Sequence, residues 1–263
     1  MCCHADVIVL CCIKYKNGDK SYNHESSSWD RIKENFGNHL LFLFYGNPDQ
    51  NELFHYNSDT KELSIRTSDQ YDNIPTKTWL AYYYWFYHIE NKKSHLITFG
   101  DDCTLMDQDL FNRTKFDNID YGGQRIHGPE WINNWHQGKV DESSPQFNKL
   151  SPRPNMNTIW VHEGCGVIFS REAIESLLKK HDLNHKDIDR IESKINDFTM
   201  YVYNTCWYND VLLSHELDDL QFKITKVPYF GIQGDSDTLK QKLFKKVRKT
   251  TQAPVANTPP ATA

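Results

Sequence analysis

Apolar residues along the chain switch between two periods. Residues 6–13 form a continuous apolar run around Asp6, and residues 39–45 form a second, the pattern of strands buried on both faces. Between them Trp29, Ile32 and Phe36 fall three or four apart, which predicts a helix within 28–36 and makes the opening unit strand–helix–strand. Residues 62–66 alternate, as an edge strand does. Residues 77–89 are apolar or aromatic nearly all round, so a buried helix is expected there. The next strand, 95–99, runs directly into Gly100-Asp101-Asp102.

The second half begins with a loop-rich stretch, 118–157, that holds Tyr121-Gly122-Gly123, Trp131 and Trp135. Long irregular segments inside a domain are usually functional. A strand-like 158–161 follows, then the turn His162-Glu163-Gly164-Cys165-Gly166 and a short strand 167–169. Ser170 fits the N-cap of a helix over 171–181, with Glu172 in its first turn and Lys179, Lys180 and His181 in its last, matching the dipole at both ends. Ile188, Ile191, Ile195 and Phe198 mark a second amphipathic helix, 209–220 a third, and 221–227 a late strand. Strands alternating with helices predict an α/β sheet with crossover helices.

The chain's 263 residues suit one catalytic-sized domain with a large core. Its 30 Lys and Arg against 35 Asp and Glu, a formal charge of −5, supply no electrostatic footprint for nucleic acid. The longest apolar run, 5–13, falls short of the roughly twenty residues that span a bilayer. Met1-Cys2-Cys3-His4 lacks the basic start of a secretory signal, so a cytoplasmic protein is expected, and the sequon at Asn112 carries no weight. Seven cysteines with no CxxC spacing argue against framework disulfides and a zinc ribbon; Cys11 and Cys12 read as buried side chains within a strand. The basic run 240–249 reads as a solvated helix face. The tail, 250–263, is rich in Thr, Ala and Pro and reads as a linker, so further domains are expected beyond it.

Three constellations could carry chemistry. Asp101-Asp102 follows a strand, and ligands of open α/β sheets bind beyond the carboxyl ends of strands. Two adjacent carboxylates are held close by a cation, and their hard oxygens suit Mg²⁺ or Mn²⁺ and a metal-bridged diphosphate; an acidic turn is the plainer reading. Gly164-Cys165-Gly166 permits close backbone approach to a ligand, or simply a tight turn. Asn209-Asp210-Val211 enters a helix after an aromatic run, where an acidic first turn is ordinary.

In their order these motifs resemble the fringe and core-1 type beta-1,3-glycosyltransferases over roughly residues 6–230. Ser28-Trp29-Asp30-Arg31-Ile32 looks like that family's first helix, and Tyr71-Asp72-Asn73-Ile74-Pro75-Thr76-Lys77-Thr78 is similar to its Asp/Ser-Tyr-x-Asn-Leu-Thr-x-Lys-Thr segment. Gly100-Asp101-Asp102 stands where the family has three aspartates, so Gly replaces the first. Tyr121-Gly122-Gly123 resembles its Tyr-x-Gly-Gly step, and Glu163-Gly164-Cys165-Gly166-Val167-Ile168-Phe169-Ser170 its Gly-Gly-x-Gly-Tyr-Val-Leu-Ser segment. Asn209-Asp210-Val211-Leu212-Leu213-Ser214 stands at its Glu-Asp-Val-x-x-Gly motif, with Asn for Glu and Ser for Gly.

The resemblance implies a single α/β domain of GT-A, Rossmann-like nucleotide-binding type over 1–249, its mixed central sheet flanked by helices, with a nucleotide-sugar half (1–117) and an acceptor half (118–249). It implies inverting, metal-dependent transfer of a hexose, galactose by family frequency, from a UDP-sugar to a glycan hydroxyl. Asp210 would be the base, Asp102 the direct ligand of Mn²⁺ or Mg²⁺, and Asp101 the neighbour touching ribose or a metal-bound water. Lys77 and Arg31 would help bind the donor, and Glu163, Gly164, Cys165 and Trp131 the acceptor. Many family members carry a further metal-binding His some two dozen residues after the base; residues 229–235 hold none, leaving Asp235 or Gln233 as substitutes. With no anchor in view, the chain looks like the soluble multidomain glycosyltransferases of large algal DNA viruses. Two other readings stand beside this one: a non-catalytic carbohydrate-binding or scaffolding domain, and another metal-dependent phosphate enzyme such as a nucleotidyltransferase or phosphatase.

Overall fold

The apolar runs assemble into one large mixed sheet. A computed structural model describes residues 5–11, 32–34, 36–101, 103–105, 116–124, 126–128, 140, 142–152, 159–163, 166–227 and 231–233. Residues 1–233 make one compact unit; the second unit, 234–263, lies outside the described residues. Strands β1 (Ala5–Leu10), β2 (Leu40–Gly46), β3 (Phe54–Asn57), β4 (Glu62–Ile65), β5 (His95–Gly100), β6 (Cys103–Leu105), β7 (Tyr121–Gly123), β8 (Ile126–His127), β9 (Trp160–Val161), β10 (Val167–Ser170), β11 (Ile224–Lys226) and β12 (Gly231–Gln233) are joined by helices α1 (Ile74–His88), α2 (Arg171–Lys180), α3 (Ile188–Thr205) and α4 (Asn209–Asp219). Eight strands run in the order β11-β7-β10-β5-β1-β2-β4-β3. Strands β5, β1, β2 and β4 are mutually parallel, whereas β10 is antiparallel to both β5 and β7 and β3 is antiparallel to β4.

Strand β1 shows why its run is apolar throughout. Successive side chains point to opposite faces, so Ile8 and Leu10 join the core under α1 while Val7 and Val9 join Ile32 and Phe36 on the other side. Helix α1 opens with Pro75 in its first turn, where the missing N–H costs nothing. It buries Trp79, Leu80, Ala81, Tyr82, Tyr83 and Trp85 between the sheet and α2, α3 and α4, which accounts for its apolar circumference. Ser170 caps α2 as expected, its Oγ accepting the Ala173 N–H at 3.1 Å.

Two expectations are corrected. Strand β4 is interior, and the sheet edge is β3, whose alternating half-buried residues escaped notice. Tyr121-Gly122-Gly123 is not loop but strand β7 inside the main sheet. Glycine weakens strand propensity, yet here close approach demands it. A Cβ on Gly123 would stand 2.1 Å from Val161 Cγ1, and one on Gly122 would stand 2.2 Å from the Thr225 carbonyl oxygen. Cys11, Cys103 and Cys206 are buried, and no helix among the described residues is long and apolar enough to cross a membrane.

Candidate active site

Because β1, β2, β4 and β5 are parallel, their carboxyl ends share one sheet edge, where open α/β folds bind ligands. Asp101 leaves β5 directly after Gly100 and is 7% exposed. Asp102 lies outside the described residues, as do Arg31, Trp131, Gly164, Cys165 and Asp235. Strand β12 pairs antiparallel with β6, Gln233 opposite Cys103, so the backbone of the segment searched for a further ligand runs beside the residues that follow Asp101-Asp102. Among the described residues no group of three His, Cys, Asp or Glu side chains could hold a metal. A Mg²⁺ or Mn²⁺ ion held by one or two carboxylates plus substrate phosphates needs no such group, and Asp101 offers the hard oxygen that ion prefers.

Lys77 sits beneath the same edge. Its ammonium is 0% exposed and donates to Asp69 Oδ1 at 2.8 Å and to the Cys11 carbonyl at 3.2 Å. Asp69 Oδ1 also accepts the N–H of Gly46, the last residue of β2, at 2.7 Å. The ion pair ties the opening turn of α1 to the ends of β1 and β2, so Lys77 braces the edge from inside.

The register of β10 brings the second constellation to this edge. Val167 opposes Thr98, so the turn before β10 stands over the end of β5. Gly166 has φ +99°, and a Cβ there would lie 2.5 Å from Phe99 Cε1, so glycine is needed twice over. Its N–H donates to the Glu163 carbonyl at 2.9 Å, closing the turn. Glu163 is 4% exposed, and its own N–H donates to Asp210 Oδ2 at 3.2 Å. Asn209 Nδ2 donates to Glu163 Oε2 at 2.5 Å, leaving Glu163 Oε1 buried without a hydrogen-bond partner. Burial first, and then the carboxylate of Asp210, push the Glu163 carboxyl up to about 8 against the pull of the Asn209 amide. Asp210 itself is half-buried in the first turn of α4, where the helix dipole favours a negative charge.

A polar network below fixes that turn. Ser214 Oγ donates to the Asp210 carbonyl at 2.8 Å, accepts the Val161 N–H at 3.1 Å, and lies 2.5 Å from Tyr121 Oη. With the serine proton committed to Asp210, the phenol must be the donor to Ser214. Tyr121 stacks on Phe169, and Tyr82 accepts from Thr98 Oγ1 at 3.2 Å. Burial first, and then the nearby carboxyls, raise both phenols well above their ordinary range, keeping them neutral. Beside this network, the rings of His127 and Trp160 lie 4.6 Å apart and those of Trp160 and His162 6.0 Å apart. Trp160 is 8% exposed, and its indole nitrogen and His162 Nδ1 are buried without partners.

Of the residues expected at the site, Glu163 and Asp210 are in contact, Asp101 lies at the shared edge, and Lys77 lies within it. Sequence reasoning missed the parts played by Asn209, Ser214, Tyr82 and Tyr121. The signal was available for two of them, since Asn209 and Ser214 are the two departures from the resembled motif. No protein-family model and no curated protein matches this chain.

Proposed function

We propose that the chain is an inverting, metal-dependent glycosyltransferase of GT-A type that moves a hexose, galactose first among candidates, from a UDP-sugar to a hydroxyl of a glycan. The supporting observation is the convergence at one carboxyl edge of the buried Asp101 and of Glu163, whose N–H engages Asp210. In such a transfer the acceptor oxygen bonds to the anomeric carbon as the bond to the diphosphate breaks on the opposite face. Asp210 takes the acceptor proton; its Oδ1 makes no hydrogen bond among the described residues, while Oδ2 is held by Glu163. Bound through Asp101 and Asp102, Mn²⁺ or Mg²⁺ would offset charge on the leaving diphosphate. The Lys77–Asp69 pair and the Ser214 network keep the two halves of the site rigid.

Calorimetric titration of UDP into the protein, with Mn²⁺ and then with EDTA, tests the donor site. Binding that requires Mn²⁺ is the expected result and justifies a donor panel. No binding under either condition leaves Asp101-Asp102 as an acidic turn and defeats the reading.

A further inference from the structure

We propose that Glu163 is a positioning residue for Asp210: the two neighbouring carboxyl groups together hold one proton, carried by the buried Glu163, which leaves the negative charge on Asp210. The role of Asp210 as base rests on the function proposed above; the proton count does not.

The geometry assigns the proton. Glu163 is 96% removed from solvent and touches Asp210 through its own backbone, so two charges there would be costly. Among the described residues, the titratable groups electrostatically coupled to Glu163 are Asp210 from α4, Tyr82 from α1 and Tyr121 from β7, none of them a cation. Asn209 donates to Oε2, marking that oxygen as the acceptor. The proton therefore sits on Oε1, the oxygen buried with no partner. Asp210, by contrast, is half-exposed, and its carboxylate oxygen accepts the Glu163 N–H. Such pairs titrate together, so the one-proton form persists over a wide pH range. When Glu163 finally ionises, repulsion opens the 163–166 turn and Asp210 loses the N–H that orients it.

The test compares whole-chain wild type with E163Q, D210N and the double variant, by thermal unfolding from about pH 5 to about pH 9. A carboxyl that releases its proton later when folded than when unfolded makes stability fall as pH rises between those two points. Wild type should thus lose several degrees of Tm relative to E163Q, whose side chain binds no proton, between about pH 5 and about pH 8. The difference should shrink in the D210N background, where the repelling charge is gone. Parallel curves for wild type and E163Q, or a difference untouched by D210N, overturn the proposal. If E163Q does not fold, carbon-13 spectra of Glu-labelled wild type replace it; one glutamate titrating far above the rest is expected, and its absence overturns the assignment. In the transfer assay, kcat of wild type should fall roughly tenfold per pH unit above about pH 8, and that of E163Q should not. An equal alkaline fall in both removes the positioning role. Wild type that transfers no sugar from any donor defeats the proposed function, while the unfolding curves still decide where the proton sits.

Discussion

Ser214→Ala isolates the hydrogen-bond node beneath Asp210. Ser214 Oγ joins three elements by bonding to the Asp210 carbonyl, the Val161 N–H and the Tyr121 hydroxyl. Removing it leaves the Val161 N–H with the phenol oxygen as a second acceptor but strands the phenol proton, on a residue 1% exposed. A stranded buried donor costs about 1–3 kcal/mol and a lost neutral hydrogen bond about 1 kcal/mol, so S214A should destabilise by about 2–4 kcal/mol. With a urea m-value of about 3 kcal/mol/M, the unfolding midpoint should drop by roughly 0.7–1.3 M with the slope unchanged. Tyr121→Phe alone should cost about 1 kcal/mol, because Ser214 keeps its other partners. The double variant removes the phenol proton but also both acceptors of the buried Val161 N–H, so one stranded donor replaces another and the two single costs should add to within about 0.5 kcal/mol. Transfer should fall roughly tenfold or more in S214A, since the first turn of α4 loses its tie to β7 and β9. A midpoint for S214A within about 0.2 M of wild type, or a double variant more stable than S214A alone, would refute the account of this node.

Other outcomes follow from the same structure. Asp210→Asn should lower kcat by about 10²–10⁴-fold while UDP affinity in Mn²⁺ stays unchanged; substantial turnover in that variant removes Asp210 as the base. Lys77→Met leaves Asp69 buried without its cation and should cost about 3–5 kcal/mol in urea unfolding, whereas a soluble K77M with near-normal stability that has lost only UDP binding would return Lys77 to the donor site. Glu216 is fully buried; burial alone would raise its carboxyl, but hydrogen bonds from His181, Lys180 and Tyr201 draw it down to about 2. Its contribution is therefore present above its unfolded value of 4.5 and lost as pH falls toward about 2. Glu216→Gln should be less stable than wild type at neutral pH and converge with it in acid; a constant difference across that window contradicts this linkage.

The sheet was legible in the sequence wherever a strand is buried on both faces, because β1, β2 and β5 then read as unbroken apolar runs. Helix α1 was legible for the same reason, and α2 through its cap. Strand β7 was not, since its two glycines mimic a loop until the approach of Val161 and Thr225 explains them. Nor was the burial of Lys77, whose neutralising partner lies eight residues earlier in a segment without periodic pattern. Glu163 and Asp210 were both singled out by motif, but the contact between residues 47 apart depends on the register of β10 and on α4 packing against β9.

Two buried ionisable pairs at this sheet edge show what separates framework from chemistry. Lys77 and Asp69 carry opposite charges, bond to the ends of β1 and β2 as well as to each other, and so have one arrangement at any pH where both remain charged. Glu163 and Asp210 are alike in charge, and their arrangement depends on where one proton resides. Glu163 Oε1 and Asn209 Oδ1 are both buried without hydrogen-bond partners there. Unsatisfied polar atoms are kept in a fold only where something else recovers their cost. The first pair satisfies its own partners; at the second, under the proposed function, the acceptor hydroxyl would complete the network. Asn209 places a neutral amide on the helix, and Glu163 places a carboxyl on the turn. That keeps a proton reservoir beside Asp210 without adding a second negative charge to the first turn of α4.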